Sequence, residues 1–413
     1  KYAATCYPLH NIPANLTMPP QRSDSSDEVL PLEKQQTLHQ HKLCNHKWTL
    51  KQRPIGLFNP DTDVELISEP INLDSEGSSS CACNNDEIIV ETSHLSIDAF
   101  LRTMLDDDAY HGSVDIGGTM PALGYGKVIH AGCDAKQKVG SYVTGMLGAQ
   151  TYSTVKSAEV FPMMKMPYLS LRSSLGLVGA PAGLTAYAGV FYVCKRPRKG
   201  ETVVVTAAAG AVGSVAAQLA KSTGARVIGV AGGKKKGLYL VNDLGLDGAI
   251  DYKDQECTIE KQLDEYCPEG IDFIYDNVGG DVLNVFLGRI NANGRVVICG
   301  AISQYGKARG MACGPSNYIK LAERGALMKG FNFMQYLTSL PFMLFGMFYL
   351  YMRGKVKMTE QIELGIESYP MALQKLFTGG NTGKLLVQVQ SDSASSVMAS
   401  KKDDWFGLNE MIF

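Results

Sequence analysis

The stretch ETVVVTAAAGAVGSVAAQLAK, residues 201–221, decides the fold. It opens with a β-branched run, turns on glycine and continues with alanine and leucine at helical spacing, so it predicts a strand, a tight turn and a helix. An A-x-G-x-x-G turn of this kind lets the backbone approach a pyrophosphate and directs the N–H groups of the helix N-terminus at its charge. A tight turn without a ligand is the alternative. The candidate pyrophosphate contacts are Gly210, Ala211, Val212 and Gly213.

Apolar runs and helical patterns alternate beyond this stretch. The six candidate strands are ETVVVTA (201–207), ARVIGVA (225–231), GAI (248–250), IDFIYD (271–276), GRVVICG (294–300) and ALMKGFNF (326–333). Such alternation is typical of a parallel sheet covered by helices on both faces. We therefore predict an α/β fold with a doubly wound parallel sheet.

The end of the second strand indicates which dinucleotide binds. An acidic residue ordinarily stands there and holds a ribose 2′-hydroxyl. This chain has VAGGKKKG at residues 230–237, with three lysines, Lys234, Lys235 and Lys236. A carboxylate would repel a 2′-phosphate, whereas lysine attracts it. The sequence therefore predicts NADP(H) as cofactor, with a merely solvated lysine loop as the alternative.

The flanking segments predict a second domain. Residues 47–170 contain short strand-like pieces between Gly, Pro and Asp turns, which are typical of a mostly β domain. The strand-like GNTGKLLVQVQ (380–390) is expected to return to it. The predicted organisation is a disordered extension (1–46), a mostly β domain (47–180), the nucleotide-binding domain (181–349), the return to the β domain (350–390) and a polar tail (391–413).

Composition excludes several classes of function. The chain has 413 residues, with 39 Lys and Arg against 41 Asp and Glu, so no global basic field is available for nucleic acid. Its ten cysteines include no Cys-x-x-Cys pair, and all seven histidines precede residue 131. Zinc requires a convergent Cys/His set, so we expect no metal, reduced thiols and a cytoplasmic location.

One apolar segment, FNFMQYLTSLPFMLFGMFYLYM (331–352), carries no charge and is long enough to span a bilayer. It contains Asn332, Gln335 and Pro341, and it lies between elements of a folded domain. We expect a buried or subunit-interface helix, and contact with a membrane is the alternative.

Seven motifs together resemble the zinc-independent medium-chain dehydrogenases/reductases that include prostaglandin, alkenal and curcumin reductases. They are KWTLKQRP (47–54), LSIDAFLR (95–102), GLTAYAGV (183–190), AAAGAVGSVAAQLAK (207–221), YDNVGGD (275–281), CGAISQY (299–305) and GNTGKLLV (380–387). The resemblance covers residues 47–390. It implies a GroES-like, mostly β catalytic domain followed by a Rossmann domain.

The resemblance also implies roles for single residues. Lys236 and Tyr252 would bind the 2′-phosphate. The candidates for the ribose and nicotinamide are Asn277, Tyr305, Asn381 and the strand segment Phe331 to Phe333. Tyr252 at a strand end, and asparagines in glycine-rich turns, also have purely structural explanations.

The implied activity is NADPH-dependent reduction of the carbon–carbon double bond of an α,β-unsaturated ketone or aldehyde, with Tyr305 as the catalytic donor. A homodimer is expected. Where the family has a tyrosine in D-P-Y-M-R, this chain has Phe100, so one hydroxyl is missing at the substrate end. The alternatives are a quinone reductase of the same superfamily and a membrane-associated NADPH-binding protein without turnover.

Overall fold

The computed structural model describes residues 43–71, 83–163, 165–307 and 311–389. Strands in these ranges form a two-stranded, a six-stranded and a seven-stranded sheet. The seventh strand of the last sheet is β6 (Tyr152–Lys156). The remaining strands are β1 (Leu43–Leu50), β2 (Val64–Ile71), β3 (Glu87–Ile97), β4 (Leu123–Ala131), β5 (Tyr142–Met146), β7 (Phe161–Pro162), β8 (Thr202–Val205), β9 (Arg226–Ala231), β10 (Gly248–Asp251), β11 (Ile271–Asp276), β12 (Ile290–Ile298), β13 (Leu327–Gly330), β14 (Glu360–Leu364) and β15 (Lys384–Gln388).

Helices connect these strands and cover the sheets. The α-helices of the described residues are Thr185–Ala188, Ala211–Ser222, Lys234–Leu238, Ile259–Tyr266, Gly280–Leu287, Lys320–Arg324, Leu340–Met352 and Tyr369–Thr378. Single π turns, Ala180–Leu184 and Gly189–Val193, flank the first of them, and a 3-10 helix, Phe333–Ser339, precedes Leu340–Met352.

The six-stranded sheet has the order β10-β9-β8-β11-β12-β13, and every pair is parallel. Its central strands are continuous apolar runs because helices cover both faces: Val204, Ile228 and Ile274 are fully buried. The first strand, β8, lies at the centre of the sheet, and the chain proceeds outward through β9 to β10. It then returns to the centre and proceeds through β11 and β12 to β13 on the other side, which is the doubly wound topology. The predicted Rossmann sheet is confirmed.

The seven-stranded sheet is mixed and contains strands from both ends of the described chain. It has the order β14-β15-β3-β4-β5-β7, with β3 also paired to β6. Strand β15 is antiparallel to β3, with Leu385 opposite Ile97. The buried Lys384 ammonium donates to a carboxylate oxygen of Asp98 at 2.5 Å, and this ion pair fixes the register. The predicted mostly β, GroES-like partner of the Rossmann sheet is confirmed.

Two predicted boundaries were wrong. Residues 43–46, assigned to a disordered extension, begin β1, because Leu43–Leu50 pairs along its whole length with β2. The sixth strand ends at Gly330, so Phe331–Phe333 is not strand. The Asn332 side chain accepts from the Met334 N–H and caps the 3-10 helix, which takes the backbone out of the sheet. The rest of the extension and the tail, 391–413, lie outside the described residues.

Of the two expectations for the apolar segment 331–352, burial within the chain was wrong, and a subunit-interface helix stays a prediction. Only 11% of the window Phe333–Met352 is buried, and by length and composition this segment could cross a membrane. Met343 and Met347 are fully buried, whereas Phe342 and Phe345 are 72% and 73% exposed. A helix lying on the domain surface buries one stripe only, and here the opposite stripe is apolar as well.

Candidate active site

The glycine turn joins β8 to the helix Ala211–Ser222 at the carboxyl end of the parallel sheet. Gly210 is the N-cap and its N–H donates to the Ala207 carbonyl at 2.9 Å. A side chain at Gly213 would lie 2.3 Å from that same carbonyl oxygen, so the helix can start this close to the strand only with glycine there. The N–H groups of the first helical turn therefore lie at the carboxyl end of the sheet, where a helix N-terminus can bind a pyrophosphate.

The segment before β15 closes over this turn. Gly210 and Gly383 form an isolated parallel bridge, and the Gly383 N–H donates to the Ala209 carbonyl at 2.7 Å. Asn381 is 8% exposed, and its side-chain amide donates to the Gly383 carbonyl at 3.1 Å. The structure thus brings Asn381 to the turn, where it stabilises its own loop.

Lys236 is the one half-buried lysine of the three. Its ammonium donates to the Gly379 carbonyl at 2.9 Å, whereas Lys234 and Lys235 are exposed. Burial, and secondarily the nearby Lys253, lower the pKa of Lys236. An ammonium that has lost water and faces a second cation is stabilised by an anion. This environment fits a phosphate.

Tyr252 and Lys253 complete a cationic cluster around Lys236. The Tyr252 ring packs on Gly232, where a Cβ would lie 2.8 Å from the ring, and the Lys253 ammonium lies 5.9 Å from the ring centroid. Lys253 was not a predicted site residue. Its position next to Tyr252 in DYKD could have indicated a second phosphate contact. Its proximity to Lys236, however, depends on the tertiary fold.

Asn277 links the ends of two neighbouring strands. Its backbone N–H donates to the Thr206 hydroxyl at 2.8 Å, and its side-chain amide donates to the Thr206 carbonyl at 2.7 Å. The Thr206 hydroxyl in turn donates to buried Asp276, whose pKa is raised by burial. Thr206, which the sequence analysis did not single out, therefore holds Asn277 at the carboxyl edge of the sheet.

Tyr305 follows β12, and its side chain turns back towards Gly300 and Ala301. Its hydroxyl oxygen accepts the Ala301 N–H at 3.1 Å and would be 3.0 Å from a Cβ at Gly300. Burial raises the pKa of Tyr305, so the group is a neutral phenol at physiological pH. Since the oxygen accepts this bond, the hydroxyl proton remains available for donation.

Phe331 and Phe333 follow β13 at the carboxyl end of the parallel sheet. Phe331 packs edge-on against Tyr336, with ring centroids 6.1 Å apart, and Phe333 packs with the buried Leu184 cluster. Between them, the Asn332 amide donates to the Tyr110 hydroxyl at 2.8 Å. Tyr110, another residue that the sequence analysis did not single out, brings a hydroxyl from the β domain to this segment.

The described ranges contain no group of three or more His, Cys, Asp or Glu side chains that could hold a metal ion. Seven cysteines within them are free thiols: Cys44, Cys133, Cys194, Cys257, Cys267, Cys299 and Cys313. Cys299, which follows β12, has a pKa raised to about 12, chiefly by burial. A thiol with this pKa is protonated at neutral pH and is a poor nucleophile.

Two protein-family models match the chain. One, described as the N-terminal domain of oxidoreductase, matches residues 46–163, and the other, described as zinc-binding dehydrogenase, matches residues 211–337. The first covers most of the β domain, and the second begins within the glycine turn.

Characterised proteins match over almost their whole length. The chain is 34% identical to an NADP(+)-dependent 2-alkenal reductase of Nicotiana tabacum, over 85% of this chain and 99% of the relative. It is 32% identical to the NADPH-dependent curcumin reductase of Escherichia coli strain K12, over 86% and 99%. The crystal structure of CurA from Vibrio vulnificus in complex with NADPH superposes with a TM-score of 0.75 at 30% identity, covering 84% of this chain and 99% of that one. The chain is a member of the medium-chain dehydrogenase/reductase family that contains the alkenal, curcumin and prostaglandin reductases.

Proposed function

We propose that this protein is an NADPH-dependent oxidoreductase that reduces the carbon–carbon double bond of α,β-unsaturated ketones and aldehydes. The observation that carries the proposal is the pairing of a glycine turn with a half-buried lysine cluster, within a chain whose relatives are named as reductases of such compounds. When bound, NADPH supplies a hydride for the β-carbon of the substrate.

The residues present fit this cofactor. Gly210 to Gly213 would receive the pyrophosphate on the helix N-terminus. Lys236, Tyr252 and Lys253 would bind the 2′-phosphate, which relieves the repulsion between the two ammonium groups. Asn277 lies at the carboxyl edge of the parallel sheet, and Asn381 lies in the loop beside the glycine turn. The ribose and nicotinamide would bind near these two residues.

Tyr305 would act on the substrate carbonyl. Negative charge develops on the carbonyl oxygen as the β-carbon is reduced, and without a metal it needs a hydrogen-bond donor. The Ala301 N–H holds the Tyr305 oxygen in place and leaves the hydroxyl proton free for this purpose. The α-carbon is then protonated, by Tyr305 or through water.

Aromatic side chains beside Phe100 would line the substrate-binding end of the candidate site. Phe100 lies 5.2 Å from the His111 ring and the Tyr110 ring 5.0 Å from it, measured between centroids. Tyr110 is 79% exposed, and Asn332 holds its hydroxyl. Tyr110 would therefore supply a hydroxyl on the side where Phe100 has none, and apolar rings would cover the rest of an enone.

A steady-state comparison tests the function. Purified protein should oxidise NADPH, followed by nicotinamide absorbance, with an enone or a 2-alkenal and form the saturated carbonyl product. A quinone is the competing acceptor, and kcat/KM should be higher for the enone. Higher kcat/KM for the quinone, or NADPH binding without turnover of either compound, would contradict the proposal.

Further features of this proposal concern the whole protein. We expect a homodimer in a cytoplasmic location, with no nucleic acid partner. The domain limits that we propose are 43–180 with 350–390 for the β domain and 181–349 for the Rossmann domain. Size-exclusion chromatography with light scattering would measure the oligomeric state directly.

A further inference from the structure

The helix Leu340–Met352 has two different apolar stripes. Its inner stripe, Met343 and Met347, is fully buried on the Rossmann domain. Its outer stripe consists of Phe342, Phe345, Tyr349 and Met352, which are 72%, 73%, 52% and 50% exposed. Positions spaced by three and four residues share one helix face. A contiguous exposed stripe of this kind marks an interaction surface more often than free surface.

The helix lies on the domain and does not leave it. A side chain at Gly346 would lie 2.2 Å from the Tyr187 hydroxyl, so this glycine lets the helix backbone settle onto Tyr187. With the 3-10 helix Phe333–Ser339 before it, the segment has the length to cross a hydrocarbon core of roughly 30 Å. Spanning would, however, pull Met343 and Met347 out of the core of the Rossmann domain, where both are fully buried. The geometry fits a helix in the plane of a membrane surface.

Basic side chains surround one end of this stripe. Beside the helix is an open cleft of about 770 Å³, lined on one side by Tyr349 and Leu350 and on the other by Arg196, Arg198 and Lys199. Arg353 extends this basic rim, with its guanidinium 5.9 Å from the Tyr349 ring centroid. The four basic side chains are exposed to solvent. We call Arg196, Arg198, Lys199 and Arg353 the basic rim.

An acidic neighbour of the rim is already neutralised. Glu201 lies near Arg198, but its carboxylate accepts two hydrogen bonds from Arg295, at 3.0 and 2.6 Å. The rim therefore keeps a net positive charge next to an apolar stripe. Phosphates above acyl chains, as in a bilayer with anionic lipids, have the complementary arrangement.

We propose that the outer stripe and the basic rim form a docking surface for an anionic lipid bilayer. Phe342, Phe345 and Tyr349 would enter the boundary between headgroups and acyl chains, while the rim contacts lipid phosphates. The charge distribution favours this occupant over a second copy of the chain. A second copy docking through the same stripe would present the uncharged side chains of its own helix Leu340–Met352, and these offer no acidic partner to the basic rim.

The basic rim lies away from the glycine turn of the candidate active site. Arg198 and Lys199 precede the amino end of β8, whereas the turn Gly210–Gly213 follows its carboxyl end. The rim and the turn thus lie at opposite edges of the parallel sheet. Vesicle binding through the rim can therefore be measured whether or not an enone is the substrate.

Vesicle co-sedimentation of the full chain tests the proposal. One set of vesicles is phosphatidylcholine, and the other contains about 30% phosphatidylserine to give the negative surface of a cytoplasmic leaflet. We expect at least tenfold tighter binding to the second set, weakened by salt. F342N/F345N should reduce binding tenfold or more, since each phenylalanine loses its apolar burial. R196E/K199E should reduce it at least tenfold, because each basic side chain strengthens binding by roughly fivefold.

Matched control variants make the same kinds of substitution outside the outer stripe and the basic rim, so they show whether a loss of vesicle binding is specific to this surface. Phe161→Asn replaces a phenylalanine that is 69% exposed on β7, and K127E/K138E makes the same charge change on the β domain. Both controls should bind vesicles like the wild type. Unchanged solution melting temperature and NADPH affinity would show that F342N/F345N and R196E/K199E are folded.

Three results would overturn the proposal. The first is a wild type that remains in the supernatant with both vesicle sets. The second is an equal loss of binding in the matched controls. The third is a solution dimer that F342N/F345N converts to monomer, which would assign the outer stripe to a contact between two copies. A failed enone assay with intact vesicle binding would contradict the proposed function and leave the docking surface standing.

Discussion

Tyr305 is the residue that we propose as donor, because its oxygen accepts the Ala301 N–H and its hydroxyl can still donate. Tyr305→Phe should keep NADPH affinity within a few fold and lower kcat for enones about tenfold or more, since a donor engaged in the transition state affects rate more than binding. Single-turnover kinetics and NADPH titration measure the two effects. Tyr318→Phe, at an exposed tyrosine, is the matched control. Lost NADPH affinity with normal turnover at saturating cofactor would make Tyr305 a cofactor contact only.

Lys236 should decide which nicotinamide cofactor binds. Lys236→Ala is expected to weaken NADPH binding by roughly 1.5–3 kcal/mol, the scale of a hydrogen bond to a charged group, with little change for NADH. Isothermal titration with both cofactors checks this. Lys234→Ala, at an exposed lysine of the same short helix, should change neither affinity.

Lys253 extends the same test. Lys253→Ala should also weaken NADPH selectively, and the double variant should lose less than the sum of the single losses if both ammonium groups hold one phosphate. Equal losses of NADPH and NADH in Lys236→Ala would instead show that its bond to Gly379 supports the fold.

At the scale of single elements, the glycine turn depends on one close approach. Gly213→Ala places a methyl group about where the Ala207 carbonyl oxygen already lies, so the helix Ala211–Ser222 must shift. We expect a loss of more than about 2 kcal/mol of unfolding free energy together with weaker NADPH and NADH binding, since overpacking of this kind typically costs 1–3 kcal/mol. Denaturant melts measure the first effect. Gly237→Ala, whose Cβ would make an ordinary 3.7 Å contact, should be neutral or stabilising.

Strand β3 contains a histidine that makes stability depend on pH. His94 is 5% exposed, stacks on Tyr125 and has a pKa lowered to about 3, chiefly by burial. The unfolded chain takes up this proton near pH 6.5, while the folded chain does so only near pH 3. Unfolding free energy should therefore fall by about 1.4 kcal/mol per pH unit below pH 6.5. Urea melts from pH 7 to pH 5 should show a steeper fall for wild type than for His94→Phe, and parallel slopes would contradict this assignment.

How far the burial of an element could be predicted depended on whether its apolar residues are also its buried residues. The strands of the parallel sheet were predictable because residues such as Val204 and Ile274, buried on both sides, form continuous apolar runs. The helix Leu340–Met352 is apolar on its inner and outer faces alike, so no periodicity distinguished Met343 from Phe342. Its exposure could be seen only once the fold was known.

The residues of the candidate site also differed in how far the sequence could predict them. The turn Gly210–Gly213 is local and could be predicted from its spacing between a strand and a helix. Lys236 could be singled out by family resemblance, but its contact with Gly379 joins segments far apart in the chain. Contacts of that kind, including the one between Tyr110 and Asn332, depend on how the two sheets meet, which the sequence pattern does not specify.

Across the whole molecule, activity should be independent of metal. The described residues hold no cluster of metal-ligating side chains, and hydride transfer to an enone needs a donor to the oxygen more than a Lewis acid. Dialysis against a chelator should leave kcat and KM for the enone unchanged, as measured by NADPH oxidation. A bound metal in stoichiometric amount, with turnover abolished on its removal and restored on its return, would contradict this prediction.

The pairing of β15 with β3 determines when each half of the protein can fold. Lys384 and Asp98, which form the ion pair between these strands, are separated by 286 positions in the chain. At roughly 5–20 residues per second, a ribosome needs about 15–60 s to supply that interval. The β domain is made first but waits for its last strand, whereas the Rossmann strands are complete by Gly330. The part of β3 that pairs with β15, His94–Ile97, therefore lacks its neighbour during synthesis, and an unpaired strand edge of this kind is a site where another chain can add.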